Sequence, residues 1–255
     1  MSMRKWASAV ALMAFLLPTG ALGQIEFPEP DDDIRQGWSG GVNLGFTVTE
    51  GNAETSSFST GAEGIYRTDP HRWTLTGALH RASAEGEETA NRGSVAGQYD
   101  LLLGADVFVF GRGRAGYNRP AGISRRLTYG GGAGYNLLDR EQVTLTAEGG
   151  ATLISERLTD GETSTEPHAL IAERLAVRVT EVTQIVQSLE YQPRFGDLGD
   201  FLAQGEVAVT TRLIGALGLR LALSGEYDSS PFVDDDGVAR ERLDLTFVTG
   251  LTFEF

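Results

Sequence analysis

Three histidines, His71, His80 and His168, are the side chains of this sequence best suited to move a proton near neutral pH. They are scattered, without the His-x-His or His-Glu-x-x-His spacing that sets two imidazoles on one metal ion. His80 falls on the polar phase of an alternating segment and could serve as a base for Ser94 on the next segment. Nothing is spaced to orient that pair, and a nucleophile and base without a third group make a poor catalyst. Asp234-Asp235-Asp236-Gly237 resembles part of a calcium loop but lacks its ligand spacing and closing glutamate. It reads as a solvated acidic loop, with weak divalent-cation binding as the alternative. Gly130-Gly131-Gly132 precedes neither the Lys-Ser/Thr pair nor the helix of a phosphate loop. With no cysteine in 255 residues, thiol nucleophiles, disulfides and cysteine-held zinc or iron-sulfur centres are excluded. No catalytic, cofactor-binding or metal-binding residue is expected.

A second group of charges, Glu63, Arg112, Arg114, Glu148, Glu206, Arg220, Glu226 and Asp244, falls on the polar phase of alternating segments, where they can compensate one another or line water. Over the whole chain the balance is acidic, with 35 Asp and Glu against 21 Lys and Arg. That balance supplies no basic stripe for a phosphate backbone and excludes nucleic acid as a partner.

What must position these charges is a set of strands. Leu243, Leu245, Phe247, Thr249, Leu251, Phe253 and Phe255 fall on one face of the last segment, and Asp244, Thr246, Val248, Gly250, Thr252 and Glu254 on the other. The same period of two recurs from Gly37 onward, and division at turn signals gives about twelve strands, within a range of ten to fourteen. Their expected spans are 37–49, 54–67, 72–84, 88–101, 105–118, 123–137, 141–156, 163–178, 181–194, 200–213, 216–228 and 239–255. The pattern is weakest over 163–194, where Arg174 and Arg178 share the phase of Leu170, Ala172 and Ala176. Most strands exceed the five or six residues of a soluble sheet and suit a tilted membrane crossing. Alternate connections are short at Asp69-Pro70-His71, 102–104, 138–140, Val179-Thr180 and Ile214-Gly215, whereas most of the others are longer and more charged. The expected fold is therefore all-β, an antiparallel transmembrane β-barrel over residues 37–255, with the eight charges facing its lumen.

The rest of the sequence agrees with export to an outer membrane. Residues 1–23 combine Arg4 and Lys5, an apolar run from Ala7 to Leu17 and a small-x-small end, the layout of a cleaved signal peptide. Residues 24–36 form an acidic, proline-containing lead-in. Cleavage removes Arg4 and the only lysine, Lys5, leaving 19 arginines against 35 acids, a charge of −16. Tyr66, Trp73, Tyr99, Tyr117, Tyr129, Tyr135, Tyr191 and Tyr227 gather toward strand ends, as interfacial girdles do. Gly111, Gly113, Gly116, Gly130, Gly131, Gly132 and Gly134 lie in two adjacent strands, where they permit sharp coiling or make room for Phe108, Phe110, Arg112 and Arg114. Phe253 and Phe255 resemble the aromatic insertion signal at the end of outer-membrane barrels.

Gly37-Trp38-Ser39-Gly40, Leu44-Gly45-Phe46 and the hairpin Gly51-Asn52-Ala53-Glu54-Thr55 are similar to the start of the salt-induced outer membrane protein family, also described as DUF481. Arg72-Trp73-Thr74-Leu75, Asn91-Arg92-Gly93, Gln98-Tyr99-Asp100, the run from Tyr129 to Tyr135 and Leu189-Glu190-Tyr191 continue the resemblance in order. It implies an outer-membrane barrel of a Gram-negative bacterium with no established activity and no catalytic residues to carry over. The expected function is a small barrel with a structural or envelope-stress role, with limited passage of small solutes. Its expected partners are outer-membrane lipids, the barrel assembly machinery and periplasmic chaperones during transit. The alternatives are a lipid- or glycan-modifying barrel enzyme and a soluble periplasmic sheet protein.

Overall fold

The computed structural model describes residues 36–49, 55–231 and 241–255. The expected leader, nearly all of the lead-in, the tip of the 51–55 hairpin and the acidic run 234–237 lie outside the described residues. Alternation of apolar and polar residues forms twelve strands: β1 (Gly37–Thr49), β2 (Thr55–Thr68), β3 (His71–Ala84), β4 (Glu87–Leu102), β5 (Val107–Asn118), β6 (Ile123–Arg140), β7 (Val143–Leu158), β8 (Thr163–Arg178), β9 (Thr183–Arg194), β10 (Asp197–Ile214), β11 (Leu217–Asp228) and β12 (Leu243–Glu254). Each pairs antiparallel with its neighbours in sequence, and β12 returns to β1, closing the sheet into a barrel. The β1–β12 seam is short: its register runs from Gly41↔Glu254 to Leu44↔Leu251, whereas β1 and β2 pair from Gly37↔Arg67 to Thr49↔Thr55.

The barrel is apolar outside and largely polar inside. Trp38, Phe46, Leu245 and Phe247 keep between 65% and 71% of their surface exposed. Trp38, Tyr66, Trp73 and Tyr99 occupy one row across β1 to β4, with successive ring centroids 5.1, 5.7 and 5.3 Å apart. A second aromatic group, Tyr191, Phe201 and Tyr227, lies across β9 to β11. The register resolves the weakly patterned region. Ile171, Glu173 and Leu175 pair with Tyr191, Leu189 and Gln187, so Glu173 and Gln187 face outward among apolar residues while Leu170 and Arg174 face inward. Gln187 donates a 2.8 Å hydrogen bond to Glu173, giving each a polar partner on the apolar face.

The expected contrast in connection lengths is corrected. Links 85–86 and 195–196 hold two residues each, and only 229–242 is long. Glu85 (φ 52°) and Gly86 (φ 82°) both take positive φ, the type I′ geometry that matches strand twist, so pairing continues almost to the tip.

Inside, Phe108, Phe110 and Leu170 form a small apolar cluster from β5 and β8, with Phe108 only 1% exposed. The intervening wall is glycine: a Cβ at Gly134 would fall within the Phe108 ring, whereas at Gly149 it would meet nothing within 4 Å. Gly134→Val is therefore expected to destabilise the barrel by about 1–3 kcal/mol through overpacking. Gly149→Val is the tolerated control, and unfolding by urea in detergent measures both.

Candidate functional site

Strands that are not neighbours can touch only through the barrel interior, and many do. Arg112 on β5 binds Glu148 on β7 and Glu190 on β9, the latter at 2.9 Å, with its guanidinium 4.6 Å from the Phe110 ring centroid. Gln98 on β4 donates to Glu148 and Asp100, both at 2.9 Å, and Gln192 donates to Glu190. Arg72 donates to Asp100 at 2.7 Å and lies over Phe108; Asp100 is 1% exposed. Arg114 crosses to Gln204 on β10 at 2.5 Å and approaches Glu190 at 4.0 Å. This lattice balances three arginines against three carboxylates, as its buried and partly buried members Arg112, Glu148, Glu190 and Asp100 require.

Two further arginines each gather three carboxylates. Arg126 on β6 binds Glu156 on β7 and reaches Glu226 at 2.6 Å and Asp228 at 3.8 Å on β11. These residues line a cavity of about 210 Å³ together with Asn118, which donates to Asp244 across the barrel at 3.3 Å. Arg194 on β9 reaches Glu166 at 2.8 Å, Asp200 at 2.9 Å and Asp197 at 3.6 Å. Glu206 pairs with Arg220 on the next strand at 2.6 Å, and Glu63 on β2 faces Arg174 on β8 at 3.9 Å.

These cross-links constrain the shape of the barrel. A circle of twelve strands, about 4.8 Å apart and tilted by about 40°, would be about 24 Å across. An arginine and a glutamine laid end to end do not reach that far, so the barrel is flattened where β5 approaches β10. Among the eight charges singled out by sequence, Arg112 joins Glu148 and Glu206 joins Arg220. Glu63, Arg114, Glu226 and Asp244 find other partners. Sequence reasoning did not single out Asp100, Arg126, Glu156 and Glu190, although all lie on the polar phase, nor Arg174, which shares its phase with Leu170, Ala172 and Ala176. Phe253 and Phe255 are exposed, and the Phe255 backbone exchanges two 2.9 Å hydrogen bonds with Gly40 at the seam.

The histidines are separated from one another. His80 pairs with Arg92 across β3 and β4 while Ser94 pairs with Ala78; His80 Nδ1 has no hydrogen-bond partner. His71 Nδ1 is 2.7 Å from the Tyr99 hydroxyl, and His168 Nδ1 donates to the Glu166 carbonyl at 3.2 Å. The described residues hold no group of three His, Cys, Asp or Glu side chains arranged to bind a metal.

An apolar exterior closed around a charged, cross-linked interior is the architecture of an outer-membrane β-barrel. The chain belongs to the family described as "Protein of unknown function, DUF481", whose model matches residues 42–255, in agreement with the motifs. No curated protein matches it. Among solved structures it is similar to the NanC porin, at 7% identity and TM-score 0.50, covering 85% of this chain and 100% of that one. That likeness is one of fold. An outer membrane channel from Pseudomonas putida F1 follows at 13% identity, TM-score 0.47 and 90% and 100% coverage. The translocator domain of the autotransporter NalP from Neisseria meningitidis has 11% identity, TM-score 0.46 and 86% and 87% coverage.

Arg112→Met would leave Glu148 and Glu190 with too few cationic partners and is expected to cost about 3–5 kcal/mol of stability. Adding Glu148→Gln and Glu190→Gln removes the orphaned charges and should recover most of the loss. Denaturant unfolding of the single and triple variants measures both.

Proposed function

We propose that the chain is a resident of the Gram-negative outer membrane, a structural barrel of the envelope that passes only small solutes. The observation that supports this reading most is the lattice of arginines and carboxylates across the interior, inside a wall whose outer face is apolar. An open pore of this strand number would keep its charged side chains in water along the walls, whereas here Arg112, Arg114 and Arg126 bridge opposite walls. A soluble sheet protein fits less well, because so wide an apolar surface would be left in water. An enzyme fits less well because His80 faces an arginine and nothing orients it toward Ser94.

In this reading residues 1–23 are cleaved on export and periplasmic chaperones escort the chain. The barrel assembly machinery then recognises Phe253 and Phe255, and lipid covers the outer face. Cell fractionation tests the location: the folded protein should leave the membrane only with detergent and migrate faster in SDS before heating than after. Release by osmotic shock alone would overturn the proposal. In planar bilayers the protein should give steps far below those of an open pore, and large steady steps would refute a restricted lumen. Burial of the outer face in hydrocarbon also makes Glu173 costly. Replacing both partners, Glu173→Leu with Gln187→Leu, should stabilise the protein in liposomes by about 1–2 kcal/mol, because neither polar group is then left unpaired in hydrocarbon. An unchanged unfolding midpoint would argue against lipid contact there.

A further inference from the structure

Water does not reach all of the interior equally. Ala208 and Ala222 point inward from β10 and β11 and are buried, as are Phe108 and Leu170. Ala78 and Ser94, paired across β3 and β4, also point inward, yet both are exposed. An inward-facing alanine can be exposed only if a water-filled space lies in front of it. The wall in front of that pair is built of small residues, whereas the Phe108, Phe110 and Leu170 cluster projects from β5 and β8, and the Arg112 lattice takes in Gln98 and Asp100 further along β4. The interior is therefore divided into a packed side and a wet side. Among the described residues Arg92 on β4 crosses this side to donate to Thr246 on β12, and a looser contact joins Glu63 and Arg174, 3.9 Å apart on opposite walls, with 39% and 54% of their side-chain surfaces exposed.

We propose that small solutes move along this off-centre channel against β2 to β4, and that Glu63 and Arg174 form its filter, favouring small zwitterions of the amino-acid type. This rests on the reading of the chain as an outer-membrane barrel. The preference follows from charge arithmetic. A cation entering between the two gains Glu63 but meets Arg174 beside it, and an anion has the converse problem. A molecule with an ammonium and a carboxylate a few ångströms apart exchanges one ion pair for two, placing its ammonium on Glu63 and its carboxylate on Arg174. No covalent step is involved.

The absence of cysteine makes the channel directly testable, since any introduced thiol is unique. In the folded barrel, Ala78→Cys and Ser94→Cys should react with a small charged methanethiosulfonate. Ala208→Cys and Ala222→Cys should react only after unfolding. Failure of the first pair to react, or equal reaction of all four, overturns the channel. In proteoliposomes, glycine should then enter faster than methylammonium or glycolate, molecules of similar size. Glu63→Gln/Arg174→Gln should erase that preference, a change of about threefold on the scale of a half-exposed ion pair. Labelling of Ala78→Cys in the same background verifies that the barrel is intact. An unchanged preference, or no uptake of any of the three solutes, overturns the filter while leaving the barrel reading in place. Recovery of the protein outside the membrane fraction overturns both.

Discussion

A backbone amide or carbonyl without a partner costs several kcal/mol in hydrocarbon, and a sheet escapes that cost only by having no edges. Closure of β12 onto β1 is thus the condition on which the rest of the structure depends. It sets an antiparallel order in which each strand finds its sequence neighbour, and a period of two that sends one phase to the outside. It also defines an interior that, around Arg112 and Arg126, is too narrow for bulk water to solvate the polar side chains. Flattening brings opposite walls close enough for those side chains to meet, so charges that alternation forces inward become the material that holds the walls together.

Arginine suits that task. Arg126 and Arg194 each meet three carboxylates, and Arg112 meets two from different strands. A planar guanidinium offers five donors in fixed directions and can serve several acceptors at once, whereas an ammonium is a compact, strongly hydrated charge. The lack of lysine after Lys5 is consistent with an interior organised around such shared contacts.

The strands were legible in the sequence wherever the outward phase is purely apolar, as in β12, where the expected face from Leu243 to Phe255 is the outer one. Legibility fell in β8 and β9 because the rule is broken twice, by Glu173 and Gln187 outside and by Leu170 inside. Both exceptions have tertiary causes: a hydrogen bond between adjacent strands and packing against Phe108 and Phe110 from β5. The two-residue turn at 85–86 was missed because positive φ at Glu85 is not a strong sequence signal for that residue type. Which charges lie inside was readable from phase, but which of them meet was not. Arg114 and Gln204 are ninety residues apart, and only the shape of the closed, flattened ring brings them together.

Those long-range contacts carry information as well as energy. Arg126 finds Glu156 and Glu226 only if β6, β7 and β11 occupy their correct places, and Arg114 finds Gln204 only if β5 lies opposite β10. A barrel closed with a strand omitted, or with one strand slipped by a residue, would have its backbone hydrogen bonds nearly intact but would leave guanidinium groups facing each other or facing lipid. Hydrogen bonding of the backbone cannot distinguish such errors, because every rung of the ladder looks alike. The interior charges can, and so they act as a checksum on the order of the strands.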